Sequence, residues 1–280
     1  VHAWWVFFRP LLQAACLPEN AAFALYCHPM PPQLPWLEPD DPLPDPMQAW
    51  GADAPAPGLL AAGGTLGVES LRAAYSQGTF PWYGPGQPIL WWAPDPRMVL
   101  MVEEFKLHRS LLKTLKAFRN NPACEIRMNH SFHAVITACA TKERDGQAGT
   151  WIVPEMIEAY TDLHRAGYAH SVETWVDGRL TGGLYCVALG KAVFGESMFA
   201  HTTDASKIAL AALVSLCRHH GAEMIDCQQN TRHLASLGAR EMSRAEFLAH
   251  VRQGMRLPAL PWSFDPVYWN ELLPSRLPPA

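Results

Sequence analysis

No two of the chain's seven cysteines stand as C-x-x-C, and their number is odd. Cys16, Cys27, Cys124, Cys139, Cys186, Cys217 and Cys227 therefore suggest neither a disulfide framework nor a zinc knuckle; free thiols of a reducing compartment fit best. Charge is scarce too. Charged residues are 17% of the chain, and the balance of 26 acids against 22 bases leaves −4, so the whole-chain charge does not announce a nucleic-acid binder. The early apolar run Trp4-Trp-Val-Phe-Phe8 is stopped by Arg9-Pro10. It is too short to span a bilayer and lacks the basic start of a secretory signal, so no membrane partner is expected. No serine has the His/Asp spacing of a nucleophilic triad. His130 and His133 form an H-x-x-H without further ligands, so no metal is expected. There are no internal repeats.

What is present is uneven. Residues 1–60 hold one Arg against six acids, whereas 97–144 hold nine Lys/Arg against four. The second stretch offers a basic face that either receives phosphates or is plain solvated surface. Eleven Trp are a heavy aromatic load. Met30-Pro-Pro-Gln-Leu-Pro-Trp36 reads like a natural beginning, so residues 1–29 are expected to be a non-native or disordered upstream extension.

Residues 31–57, rich in Pro and acids, are expected to form an extended arm. Leu59 to Gly67 places paired glycines in a tight turn, and Val68 to Gln77 reads as a short helix closed by Gly78. The aromatic block from Phe80 to Arg97 carries Trp82, Tyr83, Trp91 and Trp92. Its prolines and glycines argue against a long helix or a central strand.

From Met98 the pattern is regular. A strand is expected at 98–102, a basic amphipathic helix at 110–118, and further helices at 129–139 and 154–166. Strands follow at 170–176, 180–189 and 192–199, turned by Asp177-Gly178 and Gly190-Lys191. Asp204 is placed to cap the next helix, which Gly221 ends. A strand at 223–228, a short helix at 231–237, an extended piece at 239–242 and a helix opened by the capping box Ser243-Arg-Ala-Glu246 complete the pattern. The tail from Leu257 is Pro-rich. This is a mixed α/β (α+β) order that resembles the acyltransferase fold of the GCN5-related N-acetyltransferases, in which a strand pair splays open to seat the acyl donor.

Two carboxylates attract attention. Glu196 stands among apolar residues near a strand end, which is costly without a partner. That partner is either a substrate ammonium or an internal ion pair. In Ile225-Asp226-Cys227-Gln228, alternation puts Asp226 and Gln228 on one strand face, where carboxylate and amide together suit holding an amine.

The segments Gly58-Leu-Leu-Ala-Ala-Gly-Gly64, Gly78-Thr-Phe-Pro-Trp82, Ile89 to Arg97, Thr150-Trp-Ile152, Gly167 to Glu173, Gly182-Gly-Leu-Tyr185, Gly195-Glu-Ser-Met-Phe199, Asp204-Ala-Ser-Lys207, Ile225-Asp-Cys-Gln228 and His233 to Arg240 lie in order along the chain. Together they resemble leucyl/phenylalanyl-tRNA–protein transferases, from about Pro35 to Arg252. The resemblance implies a cytoplasmic enzyme that moves Leu or Phe, less readily Met, from aminoacyl-tRNA to proteins with N-terminal Arg or Lys, marking them for degradation by the N-degron route. It implies no cofactor, and a small N-terminal domain (30–95) before an acetyltransferase-like catalytic domain (96–256) and a Pro-rich tail (257–280).

By the same resemblance, Trp82 and Trp151 hold the 3′-terminal adenosine of the tRNA, helped by Tyr75 and Tyr160. Glu196 takes the amino group of the carried residue. Met198, Leu184, Leu210, Leu213 and Ile225 line the pocket for its side chain. Asp226 and Gln228 position and activate the incoming amine. Two positions depart from the family's usual pattern: Val193 replaces Phe, and Ala200-His201 replaces Ser-Arg. The rival readings are a coenzyme A-dependent N-acetyltransferase, against which the missing pyrophosphate loop argues, and a non-catalytic RNA-binding module.

Overall fold

The structure is a computed structural model that describes residues 33–141 and 152–273; the expectations for residues 1–29 and for Trp151 lie outside those ranges. Two β-sheets organise it. The smaller has four strands in the order β1-β2-β4-β3: β1 Trp36–Leu37, β2 Leu59–Gly63, β3 Phe80–Pro81 and β4 Leu90–Trp92. The acidic arm thus contributes a strand that runs parallel to β2. At the turn after β2, Gly63 has φ +88, and a Cβ there would lie 2.5 Å from the Leu37 carbonyl oxygen, so only glycine fits.

The aromatic block does carry a central strand, against expectation. Leu90-Trp91-Trp92 is a proline-free trio between Pro88 and Pro94, short enough to ladder with β2 on one side and β3 on the other. Its indoles are tied as well: Trp91 Nε1 donates to the Gly63 carbonyl (2.9 Å) and Trp92 Nε1 to that of Trp82 (2.7 Å).

The larger sheet has seven strands in the order β11-β5-β10-β9-β8-β7-β6. They are β5 Arg97–Met101, β6 Cys124–Met128, β7 Ala169–Val176, β8 Arg179–Leu189, β9 Ala192–Ala200, β10 Met224–Gln228 and β11 Arg240–Met242. Strand β6, which the sequence pattern did not suggest, is an edge strand paired with β7. Asp177 (φ 50) and Gly178 (φ 69) turn β7 into β8 in the left-handed conformations of a type I′ hairpin.

Helices α1 Val68–Ser76, α2 Arg109–Asn120, α3 Phe132–Thr141, α4 Pro154–Arg165, α5 Ala205–His219, α6 Arg232–Ser236 and α7 Arg244–Met255 pack around this sheet. Alternation divides the strands between two cores. Tyr185, Val187 and Leu189 of β8 join α1, α3, α4 and α7 on one face. Leu184, Cys186 and Ala188 join α2 and α5 on the other.

The segment after α7 covers α5. Tyr268 and Trp269 are buried there, His220 Nε2 lies 3.0 Å from the Tyr268 hydroxyl, and the Trp262 ring stacks on His170 at 3.9 Å. Among the described residues, no helix is long and apolar enough to cross a membrane, and no group of three or more His, Cys, Asp or Glu is placed to hold a metal ion.

One expected cap is absent. Asp204 precedes α5 in a left-handed conformation (φ 63) and its side chain bonds no helix N–H. The carboxylate turns instead to Lys207 Nζ (2.7 Å) and the Thr114 hydroxyl (3.3 Å). The left-handed backbone of Asp204 accounts for this, since a capping side chain reaches the helix N–H groups from an extended conformation; the strand and helix start are also close, a Cβ on Gly182 of β8 coming within 2.5 Å of Ala205 Cβ. By contrast Ser243 caps α7 as expected, accepting from the Glu246 N–H.

Candidate functional site

The parallel neighbours β9 and β10 match at only two positions, Val193 with Ile225 and Phe194 with Asp226. Beyond Phe194, β9 runs on to Ala200 paired with β8 alone, and the two strands part. The last close approach is at Gly195, where a Cβ would lie 3.3 Å from the Asp226 carbonyl oxygen.

Each strand is bulged where they part. Tyr185 faces Ser197 and Cys186 faces Gly195, which leaves Glu196 as the extra residue of β9. Asp226 faces Val99 and Gln228 faces Met98, which leaves Cys227 as the extra residue of β10. A bulge breaks alternation and re-aims side chains. The expectation that simple alternation sets Asp226 and Gln228 side by side is therefore corrected: the bulge and the left-handed Gln228 (φ 55) do so.

Asp226 is fully buried. Arg97 Nε donates to its Oδ1 (2.8 Å) and Arg97 Nη2 to its Oδ2 (2.6 Å), a two-toothed grip. Oδ1 also accepts the Gln228 N–H at 2.9 Å, which ties down a backbone conformation that costs a non-glycine residue about 1–2 kcal/mol. The Gln228 amide in turn donates to Glu196 Oε1 at 3.1 Å.

Glu196 retains partial exposure. Burial pushes its carboxyl up to about 8. Hydrogen bonding from Tyr75 opposes that rise, the charge of Asp226 adds to it, and Arg97 and Tyr160 pull it down. The Tyr75 and Tyr160 hydroxyls, from α1 and α4, share a hydrogen bond. Burial first, then the neighbouring Glu196 charge, raises both phenols well above their usual value, so they stay protonated donors.

Trp82 is partly buried against the same core as Tyr75 and Tyr160, with its ring edge-on to Trp92 at 5.4 Å. Its neighbour Tyr83 is close enough to raise the Tyr160 phenol. Tyr83 itself is pushed up to about 12, by burial and then by Glu155. On the other face of the sheet, Leu184, Leu210, Leu213 and Ile225 are at most 4% exposed and packed in one cluster. Met198, paired with Leu184, is partly buried and rests against that cluster.

The structure thus joins Glu196, Tyr75, Tyr160, Gln228 and Asp226 in one polar network. It gathers Met198 and its four apolar companions beside the opened strands. Trp151 lies outside the described residues. Arg97, which ends the Ile89-to-Arg97 motif, is the member whose role the sequence pattern missed; the signal for that role was that a buried carboxylate needs a counter-charge.

The comparisons with known proteins agree with one another. A family model for leucyl/phenylalanyl-tRNA protein transferase matches residues 99–252, and one for the N-terminal domain of that family matches residues 64–95. A leucyl/phenylalanyl-tRNA–protein transferase of Polaromonas sp. (strain JS666) is 61% identical over 249 residues, 89% of this chain and 98% of that protein. Its counterpart in Albidiferax ferrireducens is 61% identical over 243 residues, 87% of this chain and 96% of that protein. The one in Burkholderia multivorans is 59% identical over 232 residues, 83% of this chain and 91% of that protein. The chain belongs to the leucyl/phenylalanyl-tRNA–protein transferase family.

Proposed function

We propose that this protein transfers Leu or Phe, and less readily Met, from aminoacyl-tRNA to the α-amino group of an N-terminal Arg or Lys of another protein. In the cytoplasm that product marks the acceptor for degradation by the N-degron route. The observation that carries the reading is Glu196, bulged out of β9 where the strands part, between two phenolic hydroxyls and the Gln228 amide.

The chemistry follows from this arrangement. The aminoacyl ester is already activated, so an amine attacks it directly and no covalent enzyme intermediate is needed. Glu196 takes the ammonium of the carried residue, and Met198, backed by Leu184, Leu210, Leu213 and Ile225, receives its side chain. An apolar receptor of this kind favours Leu and Phe over polar residues but separates near-isosteres weakly. Trp82 and Trp151 stack on the terminal adenosine, a contact worth about 1–3 kcal/mol per base. Gln228, held in place by Asp226, orients the attacking amine. The exposed bases Arg109, Lys113 and Lys116 of α2 meet tRNA phosphates while Leu111, Leu115 and Phe118 hold the helix to the core. The chain divides into an N-terminal domain (30–95) and an acetyltransferase-like catalytic domain (96–256), whose parted strands seat the acyl donor.

A coenzyme A-dependent acetyltransferase would use the N-terminus of α5 for pyrophosphate. Here that end carries the Asp204 carboxylate and is packed against Gly182, an unfavourable place for another anion. The test mixes radiolabelled Leu-tRNA with a peptide beginning with Arg or Lys. Label moves to the peptide with the wild-type protein and is lost in Glu196→Ala with folding retained. Affinity for acetyl-CoA with none for Leu-tRNA would establish the acetyltransferase, and tRNA binding without transfer the RNA-binding module.

A further inference from the structure

Arg97 is 1% exposed, at the start of β5, and 129 residues from Asp226 in sequence. Its guanidinium lies between two rings, 4.7 Å from the Phe80 centroid and 4.5 Å from that of Phe247. Phe80 belongs to the small sheet and Phe247 to α7, so three parts of the fold fix one planar cation. A guanidinium donates only in its own plane, from its edge. Here that edge is spent on the two oxygens of Asp226.

The consequences run outward one bond at a time. With Asp226 immobile, Oδ1 holds the Gln228 N–H and with it the left-handed turn at the end of β10. Only from that turn does the Gln228 amide reach back to Glu196 on β9. A fully buried carboxylate with both oxygens gripped by a guanidinium has no approach for a substrate amine.

We propose that Arg97 is a positioning residue of the transfer reaction, acting through Asp226 and Gln228 to aim Glu196 into the opening between β9 and β10. Asp226 then works as the lock between Arg97 and Gln228, without touching the amine. This deepens the proposed transferase function and rests on it.

The test is label transfer from Phe-tRNA to an Arg-initiated peptide, with kcat and KM measured separately. Transfer by the wild-type protein establishes the underlying reading first; an inert wild type refutes that reading rather than the role of Arg97. Given transfer, Arg97→Lys keeps the charge but loses the fork, and kcat falls by about 10- to 100-fold, the scale of an ångström-sized misplacement of a reacting group. KM for Phe-tRNA changes less than kcat, because the adenosine and side-chain contacts remain. Phe80→Leu, which leaves both charges and opens the slot, lowers kcat in the same sense by less. The double variant Arg97→Gln/Asp226→Asn is no slower than the slower single variant, since both residues act through one chain of contacts.

A second readout is independent of activity. Among the described residues, the charged or titrating groups facing Glu196 are Tyr75, Tyr160, Asp226, Arg97 and Cys186. Arg97→Gln removes the one cation among them, so the loss of stability with rising pH runs on to a higher pH than in the wild type, whereas Arg97→Lys leaves its upper end in place. Full kcat in a folded Arg97→Lys, or multiplicative losses in the double variant, overturns the proposal. Should Arg97→Gln fail to fold, Arg97→Lys and Phe80→Leu still decide it.

Discussion

Asp226 and Glu196 stand on neighbouring strands of the same sheet and are linked through one glutamine, yet the fold treats them oppositely. Asp226 sits where β9 and β10 are still registered, sealed from solvent with its charge matched by Arg97. Glu196 sits just past that point, bulged from the ladder and partly open, with hydroxyls and an amide around it and, among the described residues, no cation paired with it. Buried charge is tolerated when paired. When it is buried without a counter-charge, the carboxyl holds its proton instead. One carboxylate is thus complete, and the other is left to be completed by an arriving ammonium. Structure and receptivity divide at the line where the strands separate.

The contrast can be broken most forcefully at its closed half. Asp226→Ala strands Arg97 in the core, and the expected loss is about 3–5 kcal/mol in denaturant unfolding, the usual result of removing one partner of a buried pair. Equal stability losses for Asp226→Ala and Glu196→Ala would erase the distinction. Leu213→Ala, behind the side-chain receptor, is expected to cost about 2–5 kcal/mol by leaving a cavity in the α5 core.

The open half is sharpened by pH. The folded-state pKa of Glu196, about 8, lies above its ordinary 4.5. The folded state therefore binds its proton more tightly than the unfolded chain does. The resulting stabilisation is full below about 4.5 and is lost as pH rises through about 8. Thermal melts of the wild type should fall on going from neutral pH to above 8, and those of Glu196→Gln should fall distinctly less. An identical pH trend in both would remove Glu196 as the titrating group. Smallest of all, Lys113→Gln with Lys116→Gln should leave melting within about 0.5 kcal/mol. Each substitution should also reduce the salt slope of tRNA binding by about 1.

The closed, regular parts were legible in the sequence. Strands β7, β8 and β9 follow from alternation and Asp177-Gly178, α5 from its apolar spacing, and the start of α7 from Ser243 and Glu246. The residues of the network were legible too, as the motifs that carry Glu196, Asp226 and Gln228. Their arrangement was not. Bulges at Glu196 and Cys227 arise from pairing with other strands, which no local pattern records. Arg97 meets Asp226 across 129 residues. Strand β6 carries a short alternation of its own, Glu125 and Arg127 on one side, but gains its identity from β7. Asp204 has the residue type of a cap, yet its left-handed backbone and the reach of Lys207 turn it away.

The central claim, that Glu196 grips the amino group of the carried residue, is tested most directly by deleting that group. Phenyllactyl-tRNA keeps the ester, ring and adenosine of Phe-tRNA but lacks the ammonium. The account predicts that the wild-type protein transfers from Phe-tRNA with kcat/KM at least about 10-fold above phenyllactyl-tRNA, the order of a charge-assisted hydrogen bond of about 1.5–3 kcal/mol. It also predicts that Glu196→Gln loses most of that preference. Equal discrimination by wild type and Glu196→Gln would contradict it.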